Sequence, residues 1–345
     1  MGVILCFCGS GKTYDKCCQN QRDVSGSPKI LKRYEWWDLK YKERRYLEHV
    51  SVEELVERAI DIFTNITTLR EDLKIGLHHP DNGGAYWMRV WSDIMSECAL
   101  RNYKYPYPLG HNIRRAQIPD YNWPELPDAI SAFKQMNLRP HTYWVKFSKY
   151  QFLKDALEKG EFRISAASSL NQSHLNDAQR DQELEIVLQA LPSETKIEVL
   201  DRATGKAEGE LRPIQNVKFT LKAPTDYYTC CLALTFSHRL YGDFKSDCAL
   251  IIKEPRVFLN RLIDGFKAKL VGWRGEARTV DYYDPLDNRS GPPSVYFAKH
   301  FRYWYQHEYR VVWIPPTPIA ELPPLDIVMG SLEDICEIIR LNRWP

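Results

Sequence analysis

The spacing of apolar and polar residues predicts a helical first third of the chain. Ser51-Val52-Glu53-Glu54 has the form of a capping box, and apolar residues recur every three or four positions from 55 to 63. A second helix is predicted over 86–100. The basic and aromatic stretch 29–47 predicts an amphipathic helix, although basic residues interleaved with aromatic ones can also bind a nucleic-acid strand.

After residue 135 the pattern changes to strands with a few helices. Strands are predicted at 143–147 and 162–165, joined by a helix that begins with a capping box at Ser148 and ends at Gly160. The elements predicted further on are alternating strands over 195–222, buried strands at 232–236 and 248–252, a helix at 257–266, a long strand at 303–314, a short strand at 326–329 and a helix over 331–340. Strands mixed with few helices predict an α+β fold.

Composition adds that the protein is globular and not strongly charged. Of its 345 residues, 44% are apolar and 27% are charged, which excludes a disordered chain. No apolar run approaches the roughly 18 to 20 residues that span a bilayer, so we expect no membrane segment and a cytoplasmic protein. The net charge of +2 gives no strong overall attraction to nucleic acid or membrane.

Four of the nine cysteines lie close together near the N-terminus, and they are Cys6, Cys8, Cys17 and Cys18. Four thiolates can close a tetrahedral zinc site, and the metal would fold a segment too short to bury a core. The segment resembles the SEC-C zinc motif, named from the C-terminal tail of the translocase ATPase SecA. This resemblance implies a structural Zn²⁺ and a docking module for a SecB-like chaperone or an antitoxin. The other five cysteines are expected to be small buried residues.

Residues 141–340 resemble a family of bacterial domains of unknown function found in prophages, mobile elements and defence loci. The matching blocks are 143–147, Gly160, 165–169, 175–184, 239–248 and 297–310, in that order. The layout is also similar to ADP-ribosyltransferases, which have a strand, a helix, a glycine and a second strand, and one glutamate on a late strand. Glu308 stands in that place. The resemblance implies an α+β protein with three parts: a zinc module over 1–25, a linker and mostly helical region over 26–135, and an ADP-ribosyltransferase-like domain over 136–345.

Glu308 is therefore the candidate catalytic residue. A carboxylate among many cations ionises readily, and it could hold the ribose 2′-hydroxyl of NAD and stabilise the positive charge that develops as the nicotinamide leaves. On a regular strand Trp304, Gln306, Glu308 and Arg310 would share one face. Glu308 could equally be a structural ion-pair partner of Arg310 or Arg302.

The resemblance also suggests residues that contact NAD. These are Tyr143 and Lys146 on the first strand, Ser165 and Ser168 at the second, and Asn176, Tyr241 and Arg310. Each has an ordinary structural alternative: strand packing for the first two, turn capping for the serines and core packing for Tyr241.

Two further interpretations stay open. Asp181 and Glu183 could hold a divalent metal or act as acid and base in a nuclease or hydrolase, or they could belong to a solvated acidic loop. The basic and aromatic stretch 297–313 could bind RNA or DNA without catalysis. The leading hypothesis is an ADP-ribosyltransferase-like effector or toxin of anti-phage defence or a toxin–antitoxin unit, which modifies nucleic acid or protein.

Overall fold

The computed structural model describes most of the chain. The described residues are 32–79, 83–106, 111, 123–172, 175, 178, 182–287 and 291–341. Their contacts divide the chain into two compact units, each discontinuous in sequence. The first contains the described residues up to 68 together with 75–117 and 190–217, and the second contains 69–74, 118–189 and 218 onward. The domain boundaries expected near residues 25 and 135 stay predictions.

Three long helices lie in the described part of the first unit: α1 (Arg33–Lys42), α2 (Val52–Ile66) and α3 (Gly84–Leu100). The predicted capping box begins α2, since the Ser51 Oγ accepts a hydrogen bond from the Glu54 amide at 3.2 Å, and the Glu54 carboxylate accepts one from the Ser51 amide at 3.0 Å.

Residues 67–77 and 197–211 form two short strand pairs, of which the second is antiparallel. Their strands are β1 (Thr67–Leu69) with β2 (Ile75–Leu77), and β6 (Ile197–Leu200) with β7 (Ala207–Leu211). The second pair, together with β8 (Val217–Lys222), confirms the alternating strands predicted over 195–222.

A buried carboxylate ties α1 to α3 within the first unit. Glu97 is fully buried and accepts hydrogen bonds from the Tyr41 hydroxyl, from Arg45 Nη2 at 3.0 Å and from Arg101 Nε at 2.7 Å. Arg101 continues the clamp by donating to the carbonyl oxygen of Val50 at 2.7 Å. Because a buried charge is tolerated only when it is paired, these bonds fix how the helices pack.

The second unit is built on an antiparallel sheet with the strand order β11-β14-β9-β3-β10-β16, and β4 links β9 to β15. Its strands are β3 (Trp144–Ser148), β4 (Glu161–Ala166), β9 (Tyr228–Ala233), β10 (Cys248–Ile252), β11 (Arg274–Thr279), β14 (Glu308–Ile314), β15 (Leu325–Val328) and β16 (Cys336–Arg340). Helices and strands together confirm the α+β class.

Apolar side chains cover both faces of this sheet. Trp144, Phe258 and Trp313 belong to one buried cluster, whereas Val145 and Ile251 belong to another. Neighbouring residues such as Trp144 and Val145 fall in different clusters because side chains alternate between the faces of a strand. The helices in the described part of this unit are α4 (Leu126–Gln135), α5 (Tyr150–Lys159), α6 (Arg239–Asp243) and α7 (Pro255–Lys267).

Two small strand pairs complete the second unit's elements. They are β5 (Glu185–Ala190) with β8, and β12 (Asp281–Tyr283) with β13 (Ala298–His300), and the second pair is parallel. Within the described ranges, short 3₁₀ helices lie at Ala167–Asn171, Val295–Phe297 and Phe301–Gln306 in this unit, and at Pro192–Glu194 in the first unit. Among the described residues no helix is long and apolar enough to cross a membrane.

Gly160 ends α5 as predicted, and its backbone explains the choice of residue. Its φ is +70°, and a Cβ at this position would lie 2.0 Å from the carbonyl oxygen of Gly330. Only glycine tolerates both the left-handed conformation and this approach.

The long strand predicted at 303–314 is wrong in its first half. Residues 301–306 form a 3₁₀ helix, and His307 adopts a left-handed conformation with a φ of 44° before β14 begins at Glu308. The alternation that would place Trp304 and Gln306 on one strand face with Glu308 is therefore broken at His307.

Three other predicted elements are also corrected. Residues 336–340 form β16 and not part of a helix, because they pair with the buried strand β10. Ser148 does not cap α5, whose preceding residue is Lys149 and has no side-chain cap. The strand predicted at 232–236 ends at Ala233.

Candidate functional site

A cavity of about 430 Å³ opens in the second unit beside the ends of β3, β9 and β14. Its apolar lining includes Val145, Phe147, Phe152, Leu170, Leu175, Leu232, Ala233 and Phe244. Its charged lining residues are Lys146, Lys149, Lys245, Lys299, Glu183 and Glu308. Among the described residues, four lysines thus face two glutamates, so the cavity carries an excess of positive charge.

Glu308 is the first residue of β14 and stands opposite Ala233 on β9. It is only 5% exposed. One carboxylate oxygen accepts a hydrogen bond from Arg310 Nε at 2.7 Å, and the other accepts one from Lys299 Nζ at 2.8 Å. Burial raises the pKa of Glu308, but the charges of Arg310 and Lys299 outweigh it and hold that pKa well below its usual range. The carboxylate is therefore ionised.

Arg310 lies behind Glu308 and is fully buried. Both of its Nη atoms donate to the Glu183 carboxylate, with Nη2 at 2.8 Å, and Nη1 also donates to the Tyr296 carbonyl oxygen at 3.1 Å. Burial lowers the pKa of Arg310, but Glu183 and Glu308 outweigh it and raise that pKa well above its usual value. Glu183, Glu308, Arg310 and Lys299 thus form a buried cluster of two acids and two bases, which has no net charge.

The remaining cations of the cavity are not part of this cluster. Lys146 Nζ donates to the Cys231 carbonyl oxygen at 3.0 Å and forms no ion pair with any described residue. Lys245 is exposed and has a φ of 48°, and its ammonium is likewise unpaired within the described part of the chain. These ammonium groups are available to an anionic ligand.

The five cysteines outside the N-terminal segment are free thiols, four of them buried, as the sequence predicts; they are Cys98, Cys230, Cys231, Cys248 and Cys336. Cys231 is the half-buried one and lines the cavity. Burial raises the pKa of Cys231 to about 12, so its sulfur is a thiol and a poor nucleophile.

The structure brings only some of the predicted site residues together. Glu308 and Lys146 line the cavity, and Arg310 supports Glu308 from behind. Tyr143 packs its ring against Phe133, and its hydroxyl accepts a hydrogen bond from the Phe236 amide at 3.2 Å.

Three more predicted contacts lie in other settings. Tyr241 is fully buried and donates to the Ile339 carbonyl oxygen at 3.2 Å, the arrangement of a core tyrosine. Ser168 donates to the Asp226 carboxylate at 2.7 Å, and Ser165 stands in β4. None of Tyr143, Ser165, Ser168 or Tyr241 belongs to the described lining of the cavity. Asn176 lies outside the described residues.

Sequence reasoning missed Lys149 and Lys245, and it named Lys299 only as one of the cations around Glu308, without assigning it a contact. All three belong to the cavity lining, and Lys299 holds Glu308 directly. Two of them fall inside the blocks 239–248 and 297–310, which carried the resemblance but from which no lysine received a role. Those blocks were the signal that could have identified them.

Of the acidic pair Asp181 and Glu183, the Glu183 carboxylate forms an ion pair with Arg310. Both oxygens of that carboxylate accept hydrogen bonds from the Arg310 guanidinium, whose charge repels a divalent cation. Asp181 lies outside the described residues. Within the described ranges no group of three or more histidine, cysteine, aspartate or glutamate side chains could hold a metal.

The basic and aromatic residues of α1 are engaged inside the first unit. Lys40 pairs with Glu43 at 2.8 Å and Lys42 with Asp38 at 2.6 Å. Trp36, Trp37 and Tyr41 are buried. These contacts favour internal packing over a surface that stacks and neutralises nucleic acid.

Comparison with known proteins identifies one segment of the chain. The SEC-C motif matches residues 5–20. The match includes Cys6, Cys8, Cys17 and Cys18, and it supports a zinc-binding motif at that place, although these cysteines lie outside the described residues. No curated protein and no solved structure matches the chain.

Proposed function

We propose that the second unit is an ADP-ribosyltransferase, which binds NAD in the cavity and transfers its ADP-ribose to nucleic acid or protein. One observation carries the proposal: an ionised, buried glutamate at the start of a central strand lines a cavity with an excess of lysine. The ADP-ribosyltransferase-like order of β3, α5, Gly160 and β4, with the glutamate on a late strand, supports it.

The cavity fits the size and charge of a dinucleotide's central part. Its volume of about 430 Å³ lies within the roughly 300 to 1,000 Å³ of small-molecule sites. Lys146 and Lys245 would meet the two negative charges of the diphosphate. Phe152 and Phe244 offer aromatic faces for a planar ring.

The reaction breaks the bond between the ribose C1′ and the nicotinamide nitrogen. The electron pair of that bond leaves with nicotinamide, and an acceptor atom forms the new bond to C1′ with its own lone pair and releases a proton to water. Glu308 would accept a hydrogen bond from the ribose 2′-hydroxyl and stabilise the positive charge on the sugar. Arg310 and Lys299 would keep this carboxylate ionised throughout.

A second candidate is a nucleotide-binding module without catalysis. The observation that favours it is that both oxygens of Glu308 already accept hydrogen bonds, as in a purely structural ion cluster. This candidate predicts binding of ADP-ribose with no release of nicotinamide. A calorimetric titration with ADP-ribose beside a turnover assay separates the two.

We further propose that the N-terminal cysteines bind structural zinc and dock a SecB-like chaperone or an antitoxin. The SEC-C match supports this part. The whole protein would then act as a toxin or effector whose partner restrains it. Expression of the protein should arrest growth, and co-expression of the partner should relieve that arrest. Expression of Cys17→Ser, which removes the docking module, should leave the growth arrest unaltered. These results would support that division of roles.

The enzymatic proposal is tested by incubating the full-length protein with adenine-labelled NAD and a mixture of RNA, DNA and protein. We expect nicotinamide release and label on one acceptor class, and a loss of about 100- to 1,000-fold in Glu308→Gln. The matched control is Glu276→Gln, the same change on the neighbouring strand β11, where the carboxylate pairs with Arg274. Equal turnover in Glu308→Gln and wild type would refute the assignment.

A further inference from the structure

Glu183 is a buried carboxylate for which the proposed chemistry has no direct use. It is 3% exposed, and its two oxygens face the two Nη atoms of Arg310. Arg310 in turn presents only its Nε to Glu308, at 2.7 Å. Glu183, which also lines the cavity, therefore reaches the proposed catalytic carboxylate through one residue, Arg310.

The orientation of the guanidinium follows from this arrangement. Arginine prefers to bind a carboxylate through two parallel N–H groups. Glu183 and the Tyr296 carbonyl oxygen take the Nη donors, so that Glu308 receives a single hydrogen bond from Nε. Without Glu183 those donors would turn to Glu308, and a bidentate pair would draw its carboxylate toward Arg310.

Charge gives a second reason for the same role. With Glu183 present, the buried cluster holds two acids and two bases. Without it, Glu308 would stand against the full charge of both Arg310 and Lys299, because among the described residues Arg310 forms ion pairs with Glu183 and Glu308 alone. A carboxylate bound so tightly is a poorer ligand for a ribose hydroxyl.

We propose that Glu183 is a positioning residue, which through Arg310 keeps the Glu308 carboxylate turned to the cavity. This proposal rests on the ADP-ribosyltransferase function. It gives Glu183 a task different from the metal ligand or acid and base considered from the sequence.

The test is a kinetic comparison of Glu183→Gln with wild type in the full-length protein. We expect kcat for NAD cleavage to fall about 100-fold, because a displacement of the Glu308 carboxylate by about 1 Å would cost about that much rate. KM for NAD should stay within about threefold. The matched control is Glu185→Gln, two residues along the chain, whose carboxylate pairs with the exposed Lys222 at 3.0 Å. This control should keep the wild-type rate.

A double-mutant cycle separates positioning from a general structural role. If Glu183 acts only through Glu308, adding Glu183→Gln to Glu308→Gln should not lower the residual rate further. A structural role would lower it in both backgrounds. The stoichiometry of ADP-ribose binding and a thermal melt verify that each variant is folded. Should Glu183→Gln not fold, Glu183→Asp keeps the charge with a shorter reach, and it should lose about tenfold in kcat.

The outcomes for the two proposals are distinct. A wild-type protein that cleaves no NAD refutes the transferase and, with it, this role of Glu183. If the wild type is active and kcat is unchanged in Glu183→Gln, only the positioning role is refuted. The same holds if the loss of kcat/KM in Glu183→Gln comes from a proportional rise in KM.

Discussion

Replacing Lys299 by methionine would test how strongly the buried ion cluster is coupled. Methionine keeps most of the apolar volume and removes the ammonium that lies 2.8 Å from Glu308. Both side chains are nearly inaccessible, at 8% and 5% exposure. The change leaves two acids against one base, so a negative charge stays buried without its partner.

The magnitude follows from distance and burial. Two unit charges about 4 Å apart interact by about 4 kcal/mol at an effective dielectric constant near 20. Desolvation of the lysine cancels part of this attraction, yet breaking a buried pair costs about 3 to 5 kcal/mol because the other charge is stranded. Lys299 also lies over the Tyr303 ring at 5.0 Å, a contact worth about 0.5 to 1 kcal/mol. We expect the free energy of unfolding to fall by about 3.5 to 6 kcal/mol.

Urea denaturation followed by circular dichroism measures this loss. The matched control is Lys222→Met, which breaks an ion pair of 3.0 Å with Glu185 in the same unit, but with the lysine 71% exposed. That change should cost less than about 1 kcal/mol. The double variant Lys299→Met with Glu308→Gln should recover about 2 kcal/mol of the loss. A loss below about 1 kcal/mol in Lys299→Met, equal to the control, would refute the argument.

Three further predictions concern acid, backbone and metal. The pKa of Glu308 is depressed in the folded protein. Its stabilising contribution is therefore present above the usual pKa of 4.5 and is lost as pH falls below that value. In acid, the free energy of unfolding should depend less steeply on pH in Glu308→Gln than in wild type. Gly160→Ala should lower the free energy of unfolding by at least about 2 kcal/mol, whereas Gly272→Ala, which also has a positive φ but open space around it, should cost about 1 kcal/mol in the same denaturation assay. Zinc analysis should find one ion per chain and none in Cys17→Ser, and two-site zinc or unchanged zinc in the variant would contradict the module.

The second unit shows which elements local sequence determines. The strands and helix around Gly160 were predicted to within two residues, because a glycine stop and apolar alternation act over short distances. The helix predicted over 331–340 failed for a tertiary reason. Leu332, Ile335, Cys336 and Ile339 are buried and have helical spacing, but residues 336–340 pair with the buried strand β10, and this pairing makes them a strand.

The sequence anticipated one contact of the candidate site and not its more distant members. An ion pair of Glu308 with Arg310 or Arg302 was one of the alternatives left open, and the hydrogen bond from Arg310 confirms the first of these. Glu183 lies 127 positions from Arg310, and no local pattern reports such a distance. Lys245 lines the cavity from the loop after α6, and no local sequence pattern reports that position either.

The discontinuous division of the chain has a consequence for folding during synthesis. The first unit includes residues 190–217, and the second includes 69–74. The first unit therefore cannot be completed until residue 217 has been made. At about 5 to 20 residues per second, the ribosome needs roughly 7 to 30 s to go from residue 68 to residue 217, so helices α1 and α2 wait that long for the last segment of their unit. A truncated chain released before that point would contain neither unit in complete form. The cell's quality control would then act on both units together.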